Sequence, residues 1–298
     1  MILNYGSLNL DHVYRLPHFV QPGETLASCE YNIFAGGKGA NQSMALARAG
    51  ADVGHAGKLG HDGHWLKQKL ADAGVDTAGI DIVDGPSGHA VIQVDDHGEN
   101  CIILHGGANH SIDAGHIHKT IKRCRAGDLL LLQNELNADA TPVIMQQAAE
   151  NDVGIAFNPA PMTDSVNEYD LGAVQTLIVN EVEAAQLADE HDADADAALA
   201  ALAQRWPQLE IVLTRGARGA CCRWPEGECS VAAPVVDAVD TTAAGDTFIG
   251  YFLAARAAGD GMQAALELAC AAAALCVTQA GAMDAIPARD DVLAFTEG

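Results

Sequence analysis

The chain has 298 residues, 49% of them hydrophobic, and its 40 acidic residues against 16 basic ones give a formal net charge of −24. This balance argues against nucleic-acid binding, which requires a basic surface. No apolar run is long enough to cross a bilayer, and residues 1–4 lack the features of a signal peptide. We therefore expect a cytoplasmic protein that binds neither nucleic acids nor membranes.

The first predicted strand, residues 2–7, is followed by two polar residues at its carboxyl end. These are Asn9 and Asp11, and parallel α/β sheets bind ligands beyond the carboxyl ends of their strands. A hydroxyl-rich ligand is one interpretation. A plain turn is the other, because Asn and Asp favour turns.

A small β structure outside the main sheet is predicted from two segments. Residues 13–34 contain prolines and glycine and show no helical period, which indicates short strands. Residues 89–94 and 100–105 flank the turn 95–99, which is a hairpin pattern. We expect these segments to form a small β-sheet lid.

A glycine-rich stretch, residues 36–42 (GGKGANQ), precedes a helix-like segment at 43–49. Its glycines let a ligand approach the backbone closely. Lys38 and Asn41 bring a charge and an amide to the same helix start. The spacing differs from that of a Walker A loop, so the stretch alone predicts a phosphate or sugar loop of another kind.

A parallel sheet covered on both faces is predicted after residue 128, where nearly continuous apolar strands alternate with helices. Each strand ends in polar residues, which should line one edge of the sheet as a binding crevice. The alternative is that these side chains cap the following helices. The strands and their polar ends are 128–133 with Asn134 and Glu135, 153–157 with Asn158, 176–179 with Asn180 and Glu183, and 210–214 with the loop to Gly219.

The stretch 239–248 (VDTTAAGDTF) reads as a loop of small residues that runs into a helix. Ala243, Ala244 and Gly245 leave their backbone N–H groups bare at a helix start, where unpaired donors and the helix dipole attract anions. The dipole also favours the ionised form of Asp246, which can then take a proton. This combination suits phosphoryl transfer to an alcohol, whereas an ordinary N-capped helix is the alternative reading.

The chain closes with an alanine-rich helix over residues 262–278, which we expect to be the last one. The eight cysteines include no Cys-x-x-Cys pair and are read as reduced, mostly buried thiols. The histidines lack ligand partners at metal-site spacing, so no tight transition-metal site is expected. The acidic run 189–196 is read as solvated surface.

The sequence resembles the ribokinase/PfkB carbohydrate kinase family, whose motifs it carries in family order over nearly the whole chain. Two of them, GGKGANQ at 36–42 and DTTAAGDTF at 240–248, are long enough to be highly specific. The resemblance implies an α/β fold, a ribokinase-like three-layer sandwich with a central, mostly parallel sheet and a small β-sheet lid. It implies one domain over residues 1–298, with lid segments at about 11–34 and 86–106. The other matching pieces are GSLNLD (6–11), GEN (98–100), GAN (107–109), NPAP (158–161) and NEVE (180–183).

The resemblance also implies a reaction. Family members transfer the γ-phosphoryl group of ATP to a sugar hydroxymethyl with the help of Mg²⁺. By position, Asp246 would be the general base, and the amides of Ala243, Ala244 and Gly245 would stabilise the transferring phosphoryl group. The complete set of sugar-binding positions favours D-ribose, phosphorylated at its 5-hydroxymethyl. Those positions are Asn9, Asp11, Gly37, Lys38, Asn41, Glu135 and Asp246.

The same resemblance implies sets of residues for the nucleotide and the ions. Ala285 and Cys270 depart from the family, which commonly has a serine and a polar His or Asn at these positions. Glu183 would hold Mg²⁺ through water. ATP would bind at Asn180, Glu183, Thr214, Gly216, Ala217, Gly219, Gly245 and Cys270. An activating K⁺ ion would bind at Asp240, Thr242, Cys276, Gln279, Gly281 and Ala285.

Lids of this family pair between subunits, so the resemblance implies a homodimer with an apolar lid face buried between the chains. An unpaired lid would leave a sheet edge open. Two alternatives to a ribose kinase stay open. One is a kinase for a related pentose, such as deoxyribose, or for a nucleoside. The other is a catalytically idle sugar-binding protein on the same fold, although Asp246 and the intact anion hole favour the enzyme.

Overall fold

The computed structural model describes residues 1–189 and 194–297. Half of the predicted solvated run 189–196, residues 190–193, therefore lies outside the described residues, and Asp189, Asp194 and Asp196 are exposed as expected. The described strands, in chain order, are β1 (Ile2–Tyr5), β2 (Asn9–Arg15), β3 (Glu30–Gly36), β4 (Val53–Gly60), β5 (Asp76–Val83), β6 (Gly88–Val94), β7 (Asn100–His105), β8 (Leu129–Leu132), β9 (Gly154–Phe157), β10 (Thr176–Asn180), β11 (Glu210–Thr214), β12 (Ala220–Trp224) and β13 (Gly227–Val231).

The α-helices alternate with the strands of the central part of the chain, and short 3₁₀ turns lie between several elements. Within residues 1–189 and 194–297, no helix is long and apolar enough to cross a membrane. The described α-helices are α1 (Lys38–Arg48), α2 (His64–Asp72), α3 (Ala114–Ile121), α4 (Ala140–Glu150), α5 (Glu181–Leu187), α6 (Ala195–Arg205), α7 (Ala244–Ala257), α8 (Met262–Cys276) and α9 (Arg289–Glu297).

The central sheet contains nine of the described strands in the order β13-β12-β11-β10-β9-β8-β1-β4-β5. The neighbouring pairs from β11 to β5 are all parallel. At the other edge, β12 and β13 add an antiparallel hairpin that the sequence pattern did not predict. The sheet is thus central and mostly parallel, as expected.

Each face of the central sheet is covered by its own layer of helices. In β10, Ile178 packs in the core that α1, α2, α7, α8 and α9 share. Its neighbours Leu177 and Val179 point the other way, into the core that α3, α4, α5 and α6 share. Because successive side chains of a strand alternate between two buried faces, the three central residues of β10 are all apolar. This arrangement confirms the predicted three-layer α/β sandwich.

A second sheet contains the other four described strands, in the order β3-β2-β6-β7. Strands β6 and β7 pair in antiparallel register from His89 opposite His105 to Val94 opposite Asn100, which confirms the predicted hairpin. Strand β2 begins at Asn9, so the polar residues after β1 belong to this second sheet and not to a turn. At its edge, every residue of β7 is exposed.

The end of the chain and the cysteines differ from expectation. A further helix, α9, follows α8 and packs on it through the fully buried Val292, so the helix at 262–278 is not the last. The cysteines are all free, but only half of them are buried. Cys124 and Cys229 are half-buried, and Cys29 and Cys101 are exposed.

Helices α1 and α7 cross at very short range through Gly250. A Cβ atom at this position would lie 2.4 Å from Cβ of Ala45 and 2.8 Å from the backbone N of Leu46. Glycine is therefore required for the two backbones to approach this closely. The crossing joins the helix that starts in the GGKGANQ stretch to the helix whose first turn carries Asp246.

Candidate active site

The polar residues at the strand ends meet at one edge of the central sheet, and they play different structural parts. Asn180 caps α5, because its Oδ1 accepts from the backbone N of Glu183 at 2.8 Å. Oε2 of Glu183 accepts from the backbone N of Asn180 at 2.9 Å, which completes a capping box. Glu135 instead accepts from the backbone N of Lys38, in another element, at 3.0 Å. Helix capping thus explains only part of the pattern.

Asp246 lies in the first turn of α7 and is only 8% exposed. Its Oδ2 accepts a hydrogen bond from Nδ2 of Asn41 at 3.0 Å, and its Oδ1 accepts one from Nε2 of Gln42 at 2.9 Å. Burial raises the pKa of Asp246, although Lys38 and the two amide donors favour its ionised form. The structure therefore brings the two most specific motifs of the sequence into direct contact.

The loop before α7 turns at Ala243, whose φ of 61° lies in the left-handed region. The first amides of a helix have no carbonyl partner within the helix, and here no side chain caps them among the described residues. The amide of Ala244 donates to the carbonyl of Thr241 at 3.3 Å. Of the three predicted anion-binding amides, this one is therefore partly occupied by the protein itself.

Lys38 lies among three carboxylates at the start of α1. Burial alone would lower the pKa of its ammonium, but the charges of Asp246, Glu135 and Glu183 outweigh burial and raise it. The ammonium is therefore firmly protonated. Its charge acts both on Asp246 and Glu135, which are predicted to bind the sugar, and on Glu183, which is predicted to hold Mg²⁺.

Glu135 is held in place by the connection after β1 and by the start of α1. The hydroxyl of Ser7 donates to Oε2 of Glu135 in a short hydrogen bond, and the backbone N of Lys38 donates to the same oxygen at 3.0 Å. Ser7 Oγ in turn accepts from the backbone N of Gly39 at 3.2 Å. These bonds fix the carboxylate beside the glycine-rich stretch.

Asn9 and Asp11 face the turn Gly36–Gly37 from strand β2. A Cβ atom at Gly36 would lie 2.1 Å from Oδ2 of Asp11, and one at Gly37 would lie 2.9 Å from the backbone N of Asn9. Gly37 also has a φ of 89°, which favours glycine. Burial, and after it the charge of Glu135, raises the pKa of Asp11 to about 6. The predicted sugar residues therefore cluster at one end of the crevice.

Two adjoining clefts of about 220 Å³ and about 340 Å³ open along the crevice. Thr214, Thr241 and Gly245 line both clefts, so the two form one continuous surface. The first cleft is also lined by Lys38, Asn158, Asn180, Glu183, Ala243 and Asp246. The second is also lined by Gly216, Ala217, Gly219, Val235, Ala244, Phe248 and Cys270.

The residues predicted for a monovalent cation gather around the loop before α7. Asp240 Oδ1 accepts from the backbone N of Thr242 at 2.9 Å and from its hydroxyl at 2.6 Å, while Oδ2 accepts from the backbone N of Gly281 at 2.9 Å. The Cys276 thiol lies 4.0 Å from the carbonyl of Thr242. The remaining predicted residues are Gln279, whose N donates to the Cys276 carbonyl at 3.1 Å, and the buried Ala285 in the 3₁₀ turn Met283–Ala285.

Transition-metal ligands form no cluster in the part of the chain that the structure describes. Over residues 1–189 and 194–297, no group of three or more His, Cys, Asp or Glu side chains is placed to hold a metal ion. Cation sites built from backbone carbonyls and water-mediated contacts are of a different kind.

Several buried polar residues brace this site, although the sequence analysis gave them no role. Asn109 donates from Nδ2 to Oδ1 of Asn9 at 2.7 Å, which turns the amide group of Asn9. Gln133 donates from Nε2 to Oδ1 of Asn4 at 2.9 Å and to Oε1 of Gln42 at 2.6 Å. For Asn4 and Gln133, the available signal was a polar residue within or directly after an apolar strand, because buried polar groups require partners.

The model of the pfkB family carbohydrate kinases matches residues 1–289. The chain belongs to this family. A ribokinase of Haemophilus influenzae is 36% identical over 297 residues, which cover 98% of this chain and 97% of that protein. The sugar kinase described here therefore has relatives of matching length.

Solved structures show the same fold. The ribokinase of Cryptococcus neoformans var. grubii in complex with ADP is 36% identical, with a TM-score of 0.89 over 98% of each chain. The ribokinase of Arabidopsis thaliana complexed with ribose and ATP is 27% identical, also with a TM-score of 0.89, over 100% of this chain and 98% of that one. The predicted fold class and the predicted sugar kinase are thus confirmed.

Proposed function

We propose that this sugar kinase transfers the γ-phosphoryl group of ATP to the 5-hydroxymethyl group of D-ribose. The hydrogen bonds from Asn41 and Gln42 to Asp246 carry the proposal, because they join the predicted sugar loop to the helix start that faces the first cleft. The solved relatives with ribose, ATP or ADP bound support the choice of substrates.

Asp246 acts as the general base. It takes the proton of the sugar hydroxyl while that oxygen attacks the γ-phosphorus. The bond from the γ-phosphorus to the bridging β,γ-oxygen breaks, and ADP leaves with that oxygen. The raised pKa of Asp246 supports this role, because a buried carboxylate holds a proton more firmly than an exposed one.

Backbone amides and cations stabilise the transferring phosphoryl group. The amides of Ala243 and Gly245 at the start of α7 would face the phosphoryl group, and that of Ala244 would join them by giving up its 3.3 Å contact with the carbonyl of Thr241. The Lys38 ammonium adds a fixed positive charge. Burial raises the pKa of Glu183, and the charge of Asp246 adds to this effect. A divalent cation fits here, because it would relieve that repulsion; Glu183 would hold Mg²⁺ through water, and the ion would offset the charge of ATP.

The charges at the sugar end favour a neutral substrate. Asp11, Glu135 and Asp246 supply three carboxylates and Lys38 a single ammonium. These carboxylates accept hydrogen bonds from hydroxyl groups and repel a sugar that already carries a phosphate. Deoxyribose and nucleosides are also neutral, so charge does not distinguish them from ribose. The distinction would rest on contacts to the hydroxyl at C2 and on space for a base at C1.

The nucleotide occupies the second cleft, and potassium the loop beside it. The walls contributed by Val235, Phe248 and Cys270 suit the flat apolar faces of an adenine. Burial favours the neutral form of Asp240, but donors from Thr242 and Gly281 lower its pKa. An anionic oxygen beside the backbone carbonyl of Thr242 is the kind of ligand that a hard cation takes.

The second sheet serves as the lid, within a single domain of residues 1–298 and with lid segments at about 11–34 and 86–106. Its edge strand β7 exposes Ile102, Ile103 and Leu104 by 50%, 60% and 66%. We propose that a second copy of the chain covers this apolar edge, because an open edge strand invites pairing. Sedimentation equilibrium should give a dimer at micromolar concentration, and a monomer there would contradict the pairing.

The decisive test is Asp246→Asn in a coupled assay of ADP release. We expect kcat to fall at least ~10²-fold while ribose binding by calorimetry stays close to that of the unaltered enzyme. The unaltered enzyme should also prefer ribose to deoxyribose, a nucleoside and ribose 1-phosphate. If Asp246→Asn turned over as fast as the unaltered enzyme, Asp246 would not be the general base. Binding of ribose without ADP release from any sugar would support the sugar-binding alternative.

A further inference from the structure

A chain of buried polar side chains runs behind Asp246, away from the crevice. Gln42 stands at its start and is 0% exposed, so it offers no surface to a ligand in the crevice. It nevertheless donates to Oδ1 of Asp246 at 2.9 Å. We propose that Gln42 is a positioning residue that orients the carboxylate of Asp246 for proton transfer without touching the sugar. This inference rests on the proposed role of Asp246.

The donor and acceptor of each hydrogen bond among these buried side chains follow from His55, which lies at the end far from Asp246. Nε2 of His55 lies 3.3 Å from the carbonyl oxygen of Gly6, which can only accept, so Nε2 carries the proton. Burial lowers the pKa of His55 to about 4, so the ring is neutral at pH 7 and Nδ1 is an acceptor. Ser43 must therefore donate its hydroxyl proton to Nδ1, 2.7 Å away. Its oxygen is then left to accept a proton.

Asn4 and Gln133 connect Ser43 to Gln42 and fix the orientation of the amide that faces Asp246. Nδ2 of Asn4 donates to Oγ of Ser43 at 2.9 Å, so Oδ1 of Asn4 faces Gln133. Nε2 of Gln133 donates to that oxygen at 2.9 Å and to Oε1 of Gln42 at 2.6 Å. With its carbonyl engaged, Gln42 has only its NH₂ group to present to Asp246. If the amide of Gln42 were flipped, its carbonyl oxygen would face the carboxylate of Asp246. Two acceptors with no proton between them repel each other.

A second contact holds Gln42 in the same orientation. Nδ2 of Asn158 donates to the carbonyl of Ile178 at 2.9 Å, so its Oδ1 faces Gln42 and accepts from Nε2 at 3.4 Å. Asn41 contrasts with this, because its buried Oδ1 has no hydrogen-bond partner in the described part of the chain and can still accept a hydrogen bond. Asn41 is therefore suited to contact the sugar, whereas Gln42 is tied at both ends.

The first test is Gln42→Met, which keeps the length of the side chain and removes the donor. We expect kcat to fall by roughly 10- to 100-fold, the scale of one hydrogen bond to a charged group. The KM for ribose should change by less than about twofold, because Gln42 is 0% exposed and so does not touch the sugar. The acidic limb of the kcat profile should move to higher pH, since a carboxylate that loses a donor has a higher pKa.

Gln42→Glu is the conservative partner variant and keeps the test meaningful if Gln42→Met does not fold. A protonated Glu at this place can still donate to Asp246, and its second oxygen can accept from Gln133. The two carboxyls then share one proton at neutral pH. We expect near-normal kcat there and a new loss of activity as the pH rises through the upper pKa of the pair, where both carboxyls are charged.

Each outcome of these measurements decides between positioning and packing. A changed pH profile in both variants with an unchanged ribose KM supports positioning. Unchanged pH profiles, or a rise in KM that matches the fall in kcat, overturn it. Asp246→Asn, measured in parallel, separates the two proposals. If Asp246→Asn is active, Asp246 is not the general base and the inference about Gln42 fails with it. If Asp246→Asn is inactive but Gln42→Met is fully active, only the role of Gln42 is contradicted.

Discussion

The two ends of the crevice are built in different ways. At the proposed sugar end, the buried Asp246 and the half-buried Glu135 are each fixed by donors from other elements. At the proposed nucleotide end, the walls are backbone, small residues and apolar side chains such as Val235 and Cys270. A group that moves a proton must be oriented closely, and side-chain hydrogen bonds do this. A surface that holds a flat ring mainly needs shape, which tolerates substitution.

The largest effect that separates the two ends should come from a single methyl group at Gly39. A Cβ atom there would lie 2.5 Å from the backbone of both Gly6 and Ser7. These backbone atoms cannot move aside, so we expect Gly39→Ala to cost about 1–3 kcal/mol in the free energy of unfolding. Denaturant unfolding measures this.

Gly245→Ala is the matched control for folding. Among the described atoms, none lies within 4 Å of a Cβ at Gly245. We therefore expect its free energy of unfolding to match or slightly exceed that of the unaltered chain. Equal losses in the two variants would mean that both ends are packed alike, contrary to the comparison.

An intermediate effect should appear in the pH dependence of sugar binding. The pKa of Asp11 is about 6, so this carboxylate becomes protonated and loses its charge as the pH falls below that value. If the ionised form accepts sugar hydroxyls, the KM for ribose should rise about tenfold for each pH unit below 6. The KM for ATP should stay flat, because Asp11 lies at the other end.

Asp11→Asn provides the control for this pH effect. An amide does not titrate in this range, so the KM of the variant should be higher but independent of pH between about 5 and 7. Initial rates at several ribose concentrations give KM apart from kcat, and the titration of Asp246 should appear in kcat. A KM that still rises in acid in this variant would assign the effect to another group.

The smallest effect should come from the nucleotide end. Cys270 lies in the wall of the second cleft, and burial raises the pKa of its thiol to about 11, so it acts as a small neutral group. Cys270→Ala should raise the KM for ATP by about fourfold or less, the scale of one buried CH₂ group. The KM for ribose should not change. A large loss of ribose affinity would show that the two ends depend on each other.

The sequence predicted the parts of the fold that follow from local pattern. The apolar runs that became β8 to β11 predicted a sheet buried on both faces, because strands such as Leu129–Leu132 leave no polar face for water. Helix α9 was missed, since its short segment follows Pro287 and is mostly polar, and Val292 is buried through tertiary packing that includes α8. Such a tertiary contact leaves little local signal.

The sequence predicted which residues form the candidate site but not the hydrogen bonds between them. Asp246, Asn41 and Lys38 come from two recognisable motifs, and the structure brings them together. Their roles in catalysis and binding stay predictions. The direction in which Gln42 presents its amide depends on Gln133, which is 91 residues away in the chain. No local pattern encodes that partner, because the pair exists only after the strands have assembled.

The glycine contact between α1 and α7 has a consequence for how this enzyme can diverge. Because Gly250 locks the two helices at one spacing, any change that tilts α1 also displaces the carboxylate at the head of α7. Selection or engineering for a new sugar thus has a freer route through strand β2, which belongs to the other sheet. We expect altered substrate ranges in laboratory evolution to arise first at Asn9 and Asp11, while the 36–42 stretch and Gly250 stay invariant.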